Sequence, residues 1–126
     1  MKENVLIEKS LTFGSRILKL YQYLIKTKKE IVVSRQIVRS GTSIGANINE
    51  ANYAQSRADF ISKMHIALKE TAETEFWIKL LILSGYISGH SSDSILAECL
   101  ELKRLLVATL NTAKKAASLQ KSSHTP

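Results

Sequence analysis

Apolar residues recur at helical spacing along most of the chain. Phe13, Ile17, Leu20 and Leu24 follow one another at steps of four, three and four, a spacing that puts all of them on one face of an α-helix. The pattern predicts a first helix over residues 4 to 28.

A second apolar stripe begins after Ser34. It consists of Ile37, Gly41, Ile44, Ile48 and Ala51, again at alternating steps of four and three. Ser34 is a suitable N-cap for this helix, with Val33 and Val38 packing across the cap. The sequence therefore predicts a second helix that starts after Ser34.

A third helix is predicted from Ser56, because Ser56 and Asp59 have the spacing of a capping box. Its second half, residues 76 to 83, is apolar on nearly every side, with Lys79 as the exception. Such a helix must be buried on every side, whereas a single four-helix domain leaves each helix one face for water. The surplus predicts a subunit interface, and an exposed apolar patch is the alternative. The predicted interface residues are Phe76, Trp77, Leu80 and Leu81.

A fourth, shorter helix is expected after the turn residues 84 to 92, and a serine and Asp93 are suited to cap it. Its apolar stripe is Ile95, Cys99, Leu102, Leu106 and Leu110. Short connections between four such helices predict an all-α, antiparallel, up-down-up-down bundle. We assign residues 1–117 to the bundle domain and residues 118–126 to a flexible tail, and we expect homo-oligomers that associate through the third helix.

Small and polar residues interrupt the second helix. Gly41 and Gly45 each cost a helix interior ~1 kcal/mol relative to alanine, so a compensating close contact with another helix is expected. Beside the apolar stripe runs a polar seam made of Gln36, Ser40, Ser43, Asn47 and Glu50. Such seams are typical of helices that pack through hydrogen bonds.

Composition narrows the class of protein. No apolar run approaches the ~20 residues that span a bilayer, and the N-terminus lacks a signal-peptide pattern, so we expect a cytoplasmic protein without membrane contact. Cys99 is the single cysteine. It cannot form an internal disulfide, and its apolar helical position favours the core.

Positive charge is concentrated in the first half of the chain. Residues 1 to 57 hold ten Lys or Arg against four acids, whereas residues 58 to 113 hold five against seven, within a net charge of +7. Such asymmetry indicates a polyanion partner, although a solubilising surface would give the same count. The predicted nucleic-acid-binding residues are Lys9, Arg16, Lys19, Tyr23, Lys26, Arg35, Arg39, Tyr53 and Arg57.

Within this set the cations are expected to contact phosphates, and Tyr23 and Tyr53 to stack on unpaired bases. Arg39 borders the polar seam, so an ion pair with Glu70 or Glu73 is the alternative for that residue.

Candidate chemistry is sparse. Glu70 and Glu73 lie one helical turn apart, as in carboxylate metal sites, but no Glu-x-x-His accompanies them; an ion pair with Arg39 or Lys63 is favoured. The three histidines, His65, His90 and His124, have no metal-ligand spacing among themselves or with Cys99, and His65 is expected to be packed or interfacial. We predict no catalytic residues, no metal and no cofactor, and therefore a protein that is not an enzyme.

One sequence motif resembles a known family. Residues 39–51, followed by residues 54–56, 59–63 and 67–74 and by Trp77, are similar to the four-helix bundle proteins encoded in intervening sequences of bacterial 23S rRNA genes. Related to these is the accessory protein of diversity-generating retroelements. The resemblance covers about residues 4 to 112, and it implies a ring of five antiparallel bundles whose basic surface engages nucleic acid or a nucleic-acid enzyme.

Three hypotheses follow. The first is a non-enzymatic oligomer that binds RNA or DNA through its basic helix faces. The second is an interaction scaffold for a nucleic-acid enzyme such as a reverse transcriptase, with no direct nucleic-acid role. The third, and weakest, is a metal enzyme that uses Glu70 and Glu73.

Overall fold

Four α-helices make up the part of the chain that the computed structural model describes, residues 2–123, with side chains described for residues 5–120. The helices are α1 (Lys2–Lys26), α2 (Val33–Asn52), α3 (Arg57–Leu83) and α4 (Gly89–Ser123). Residues 2–123 contain no strand. The all-α fold class predicted from the sequence is therefore confirmed.

The helices pack around one shared core. α1 and α3 each contact both α2 and α4, so neighbours along the chain are also neighbours in space. The predicted stripes supply the core, in which Phe13, Ile17, Leu24, Ile37, Ile44, Ile48, Cys99, Leu102, Leu106 and Leu110 are buried. Leu20 is only half-buried and packs against this core.

Cys99 lies in the core, as predicted. Its side chain is fully buried, and the thiol donates a weak hydrogen bond to the carbonyl oxygen of Thr71 at 3.5 Å. Burial, together with the nearby Glu75 carboxylate, raises the pKa of the thiol to about 12. Since the thiolate is the reactive form, this cysteine serves packing and not chemistry.

The start of α2 differs from the prediction. The helix begins at Val33, and the Ser34 hydroxyl does not cap it. The cap is Glu30, whose buried carboxylate accepts hydrogen bonds from the backbone N–H groups of Val32 and Val33, both at 3.0 Å, and of Ser34 at 2.7 Å. A single upstream carboxylate thus holds three N–H groups that a helix start would otherwise leave without partners.

The other helix starts give one confirmation and one correction. Ser56 caps α3, and its hydroxyl accepts a hydrogen bond from the N–H of Asp59 at 3.1 Å. α4 begins at Gly89, so Asp93 lies inside the helix and does not cap it.

α4 was predicted to be the shorter helix, but with 35 residues it is the longest. The helix continues through residues 118 to 123, so the predicted domain boundary falls within it. Residues 124–126 lie outside the described part, and the flexibility predicted for the tail stays a prediction.

The apolar second half of α3 is divided between core and surface. Ile78 and Leu81 are buried within their own subunit, so the prediction that Leu81 forms a subunit interface is wrong. Trp77 and Leu80 are half-buried, whereas Phe76 remains 58% exposed. The bundle therefore covers more of this helix than its composition indicated.

Candidate nucleic-acid interface

The two glycines of α2 allow α1 to approach closely. A methyl group built at Gly41 would lie 2.8 Å and 2.9 Å from two side-chain carbons of Ile17, and one built at Gly45 would lie 3.2 Å from the hydroxyl of Ser10. A separation below 3.0 Å leaves no room for a methyl group beside a branched side chain. The close contact expected around these glycines is therefore present, and its partner is α1.

The polar seam of α2 faces α3 only in part. Ser40 bonds Thr74 across the two helices, hydroxyl to hydroxyl, at 2.8 Å, and Glu50 pairs with Lys63 at 3.1 Å. Two other members of the seam bond back within α2: Ser43 donates to the carbonyl oxygen of Arg39, and Asn47 donates to that of Ser43. Hydrogen bonding between helices thus involves a minority of the predicted seam.

Arg39 connects α2 to α3. Its guanidinium pairs with Glu70 at 3.1 Å and with Glu73, and Glu73 also accepts a hydrogen bond from the indole N–H of Trp77 at 2.9 Å. The hydrogen bonds from Arg39 and then from Trp77 lower the pKa of Glu73. Of the two roles considered for Arg39, the structure shows the ion pair, which leaves this side chain less able to meet a phosphate.

Two of the predicted binding cations connect α1 to α4. Lys9 pairs with Glu101 at 3.0 Å. Arg16 pairs with Glu98 and donates a hydrogen bond to the Ser94 hydroxyl at 3.0 Å. These two cations are neutralised by acids of the same chain.

The remaining predicted residues make no ion pair within the described part of the chain: Lys19, Tyr23, Lys26, Arg35, Tyr53 and Arg57. They do not form one continuous surface. Tyr53 and Arg57 lie at the turn between α2 and α3. The others lie towards the turn between α1 and α2, because Ile17 sits opposite Gly41 while Ser10 sits opposite Gly45.

Two further lysines extend the second group. Lys28 and Lys29 lie two and three residues after the end of α1, and both are exposed. We call the five cations Lys19, Lys26, Lys28, Lys29 and Arg35 the basic end; none of them has an ion-pair partner among the side chains described. Sequence reasoning missed the two lysines because they fall beyond the helical stripe, although their adjacency to Lys26 was a usable signal.

Neither a metal site nor a membrane span is evident in the described chain. No group of three or more His, Cys, Asp or Glu side chains there could hold a metal ion. His65 is exposed, so it is not packed as one expectation had it, and His124 lies outside the described residues. None of the four helices is apolar over a length that would cross a bilayer.

The fold and this surface define a class: a small all-helical protein whose four helices share one core and whose basic end groups five unpaired cations around the turn between α1 and α2. The profile of the 23S rRNA-intervening sequence protein family matches residues 2–108, and the chain belongs to that family. This confirms the resemblance inferred from the sequence.

A solved structure supports the same assignment. It is a crystal structure of a protein with unknown function from the S23 ribosomal protein family of Bacteroides thetaiotaomicron VPI-5482. The two chains are 53% identical, the match covers 88% of this chain and 99% of that chain, and the TM-score is 0.86. Comparison with curated proteins gives no match.

Proposed function

We propose that this protein is a non-enzymatic, cytoplasmic oligomer that binds RNA or DNA through the basic end of each subunit. The subunit is an antiparallel up-down-up-down bundle, and the assembly is a ring of five. The ring would favour binding of a nucleic acid, because a ring of identical bundles repeats the same cationic surface around one axis.

The observation that carries the proposal is the division of the cations. Lys9, Arg16 and Arg39 are held by carboxylates between helices, whereas the basic end has no such partners. Glu30 is the acid in the turn between α1 and α2, and its carboxylate accepts a hydrogen bond from the N–H of Ser34 at the start of α2. Cations without acidic partners are available to phosphates, and a nucleic acid gains most of its non-specific affinity from such contacts.

Assembly is supported by the outer face of α3. Phe76 and Leu83 are 58% and 87% exposed, lie seven residues apart and so share a face of the helix. Association of copies through this face would remove them from water. With a charge of +7 per chain, five copies carry +35, a field that attracts polyanions at low salt.

A titration against salt tests the proposal. Fluorescence anisotropy of labelled single-stranded RNA and of double-stranded DNA is measured between about 50 and 200 mM salt. We expect the logarithm of the association constant to fall linearly with the logarithm of the salt concentration, with little dependence on base sequence. No binding of either polymer at low salt would exclude the proposal and favour the scaffold hypothesis.

A further inference from the structure

A cavity of about 500 Å³ opens beside the basic end, between the second half of α1 and the turn that joins α3 to α4. Its volume falls within the roughly 300–1,000 Å³ typical of small-ligand sites. The residues that give it chemical character are Arg16, Lys19, Tyr23, Lys28 and Tyr86, and no acid lines it. A second groove of similar size beside Lys9 differs sharply, because it is lined by Glu8, Glu98 and Glu101.

The charge of the cavity is suited to a phosphate group. Arg16 lines the wall but is already paired with Glu98 and bonded to Ser94. The cations left without partners are Lys19 and Lys28, which together match the double negative charge of a phosphate monoester.

The start of α4 adds to the same field. Ser91 and Ser92, in the first turn of that helix, line the cavity. The positive end of the helix dipole therefore lies at this wall, where it favours an anion.

The cavity also presents two aromatic rings. Tyr23 and Tyr86 line it and are 42% and 36% exposed. Among the described residues the only aromatic pair is Phe76 with Trp77, so neither tyrosine stacks on another aromatic side chain. An aromatic face beside cations is the combination that binds unpaired nucleotides, because the base stacks while the phosphate meets the cations.

We propose that this cavity binds a single nucleotide, with its phosphate at Lys19 and Lys28 and its base against Tyr23 or Tyr86. The nucleotide is either free or an unpaired residue of a strand, since both have the same chemistry. The inference deepens the proposed function by naming a ligand for one part of the basic end. It also distinguishes unpaired from fully paired nucleic acid, which a purely electrostatic surface does not.

Calorimetric titration with adenosine 5′-monophosphate tests the site in the full chain. We expect saturable binding that falls at least about ten-fold in the double variant Lys19→Gln/Lys28→Gln. The matched control is Lys26→Gln/Arg35→Gln, which loses the same charge at the same end. Both residues lie outside the cavity, so this variant should keep its affinity for adenosine 5′-monophosphate. Absence of saturable binding, or an equal loss in both double variants, would overturn the proposal.

Aromatic variants test the base. Tyr23→Leu or Tyr86→Leu should weaken binding by roughly 5-fold to 100-fold, as loss of a base-stacking partner does, and the matching phenylalanine variant should not. Circular dichroism confirms that each variant folds. Unchanged affinity in both leucine variants, or equal affinity for adenosine and its monophosphate, would rule out a nucleotide as the ligand.

Competition separates the two sources of nucleotide. An RNA hairpin with one bulged nucleotide should displace the monophosphate better than the same hairpin fully paired if the site takes a residue of a strand, whereas equal displacement indicates a free nucleotide. Salt-dependent RNA binding without nucleotide binding would overturn this inference and leave the proposed function intact. Nucleotide binding without RNA binding would overturn the proposed function and leave the nucleotide site intact.

Discussion

At the scale of a single residue, Glu30 caps the start of α2. Its carboxylate is buried and accepts hydrogen bonds from three backbone N–H groups. We expect Glu30→Ala to lower the free energy of unfolding by about 2 kcal/mol, the upper range for loss of a helix cap. Urea denaturation followed by circular dichroism measures this, and Glu8→Ala, an exposed position on α1, is the control. A loss no larger than that of the control would contradict the assignment.

The same carboxylate predicts a pH dependence. Burial alone would raise the pKa of Glu30, but the hydrogen bonds from Val33, Ser34 and Val32 outweigh it, and the pKa lies below its ordinary value of 4.5. A depressed folded-state pKa stabilises the fold above the unfolded value, and this contribution is lost as pH falls through the folded value. The stability difference between the wild type and Glu30→Gln should therefore shrink on acidification below pH 4.5.

Gly41 and Gly14 form a matched pair for testing close packing. Both lie inside helices, yet a methyl group at Gly41 would meet Ile17 at 2.8 Å, while one at Gly14 would have no neighbour within 4 Å. Gly14→Ala should raise the free energy of unfolding by up to about 1 kcal/mol through helix propensity. Gly41→Ala should lower it by about 1 kcal/mol, because overpacking exceeds the same gain. Thermal and urea unfolding would show opposite signs; equal signs would mean that the α1–α2 contact is loose.

The division of cations is a property of elements, because it depends on which helices face each other. Arg35 and Arg39 lie one turn apart on α2, but only Arg39 has acids opposite it on α3. Arg35→Gln should reduce the salt dependence of single-stranded RNA binding by about 0.7 in the log–log slope, the value for one phosphate contact. Arg39→Gln should leave the slope unchanged and lower stability by roughly 1 kcal/mol or less, as expected for a solvent-exposed ion pair. The reverse ranking would place Arg39 in the binding surface.

At the scale of the whole molecule, the exposed face of α3 predicts how copies associate. Phe76→Asp should convert the proposed oligomer to monomers, since it places a charge in the proposed interface. Leu11→Asp, at an α1 position 73% exposed, should leave assembly unchanged. Light scattering of the wild type and of both variants measures the number of subunits in each. A wild-type protein that is monomeric at micromolar concentration would dismiss the proposed ring and leave the fold of the subunit unaffected.

Features that depend on interactions between residues close in the chain could mostly be predicted from the sequence. The Ile37, Ile44 and Ile48 stripe was found because helical period is local, and the Ser56 cap because its partner is three residues away. The Glu30 cap was missed although it is equally local. The turn before α2 places Lys29 at a φ of 57°, a backbone conformation that residue spacing does not reveal.

Which side of α3 faces inward could not be predicted, because a helix that is apolar on every side has no periodicity to read. Leu81 and Phe76 differ little in hydropathy, yet one is 1% exposed and the other 58%. The roles of the cations had the same limit. The sequence left Arg39 with two roles, a phosphate contact or an ion pair with Glu70 or Glu73, and only the packing of α3 against α2 shows that it forms the ion pair.

The sequence by itself determined the class of the protein: four helices, a buried lone cysteine, a basic first half and the family. These features depend on the helical period of apolar residues and on composition, both of which can be read directly from the sequence. Tertiary structure alone decided which cations are neutralised and which stay free, and it brought Lys28 and Tyr86 to one cavity although the chain separates them. The physical reason is that ion pairing and cavity formation depend on distances between helices, and packing of the core sets those distances.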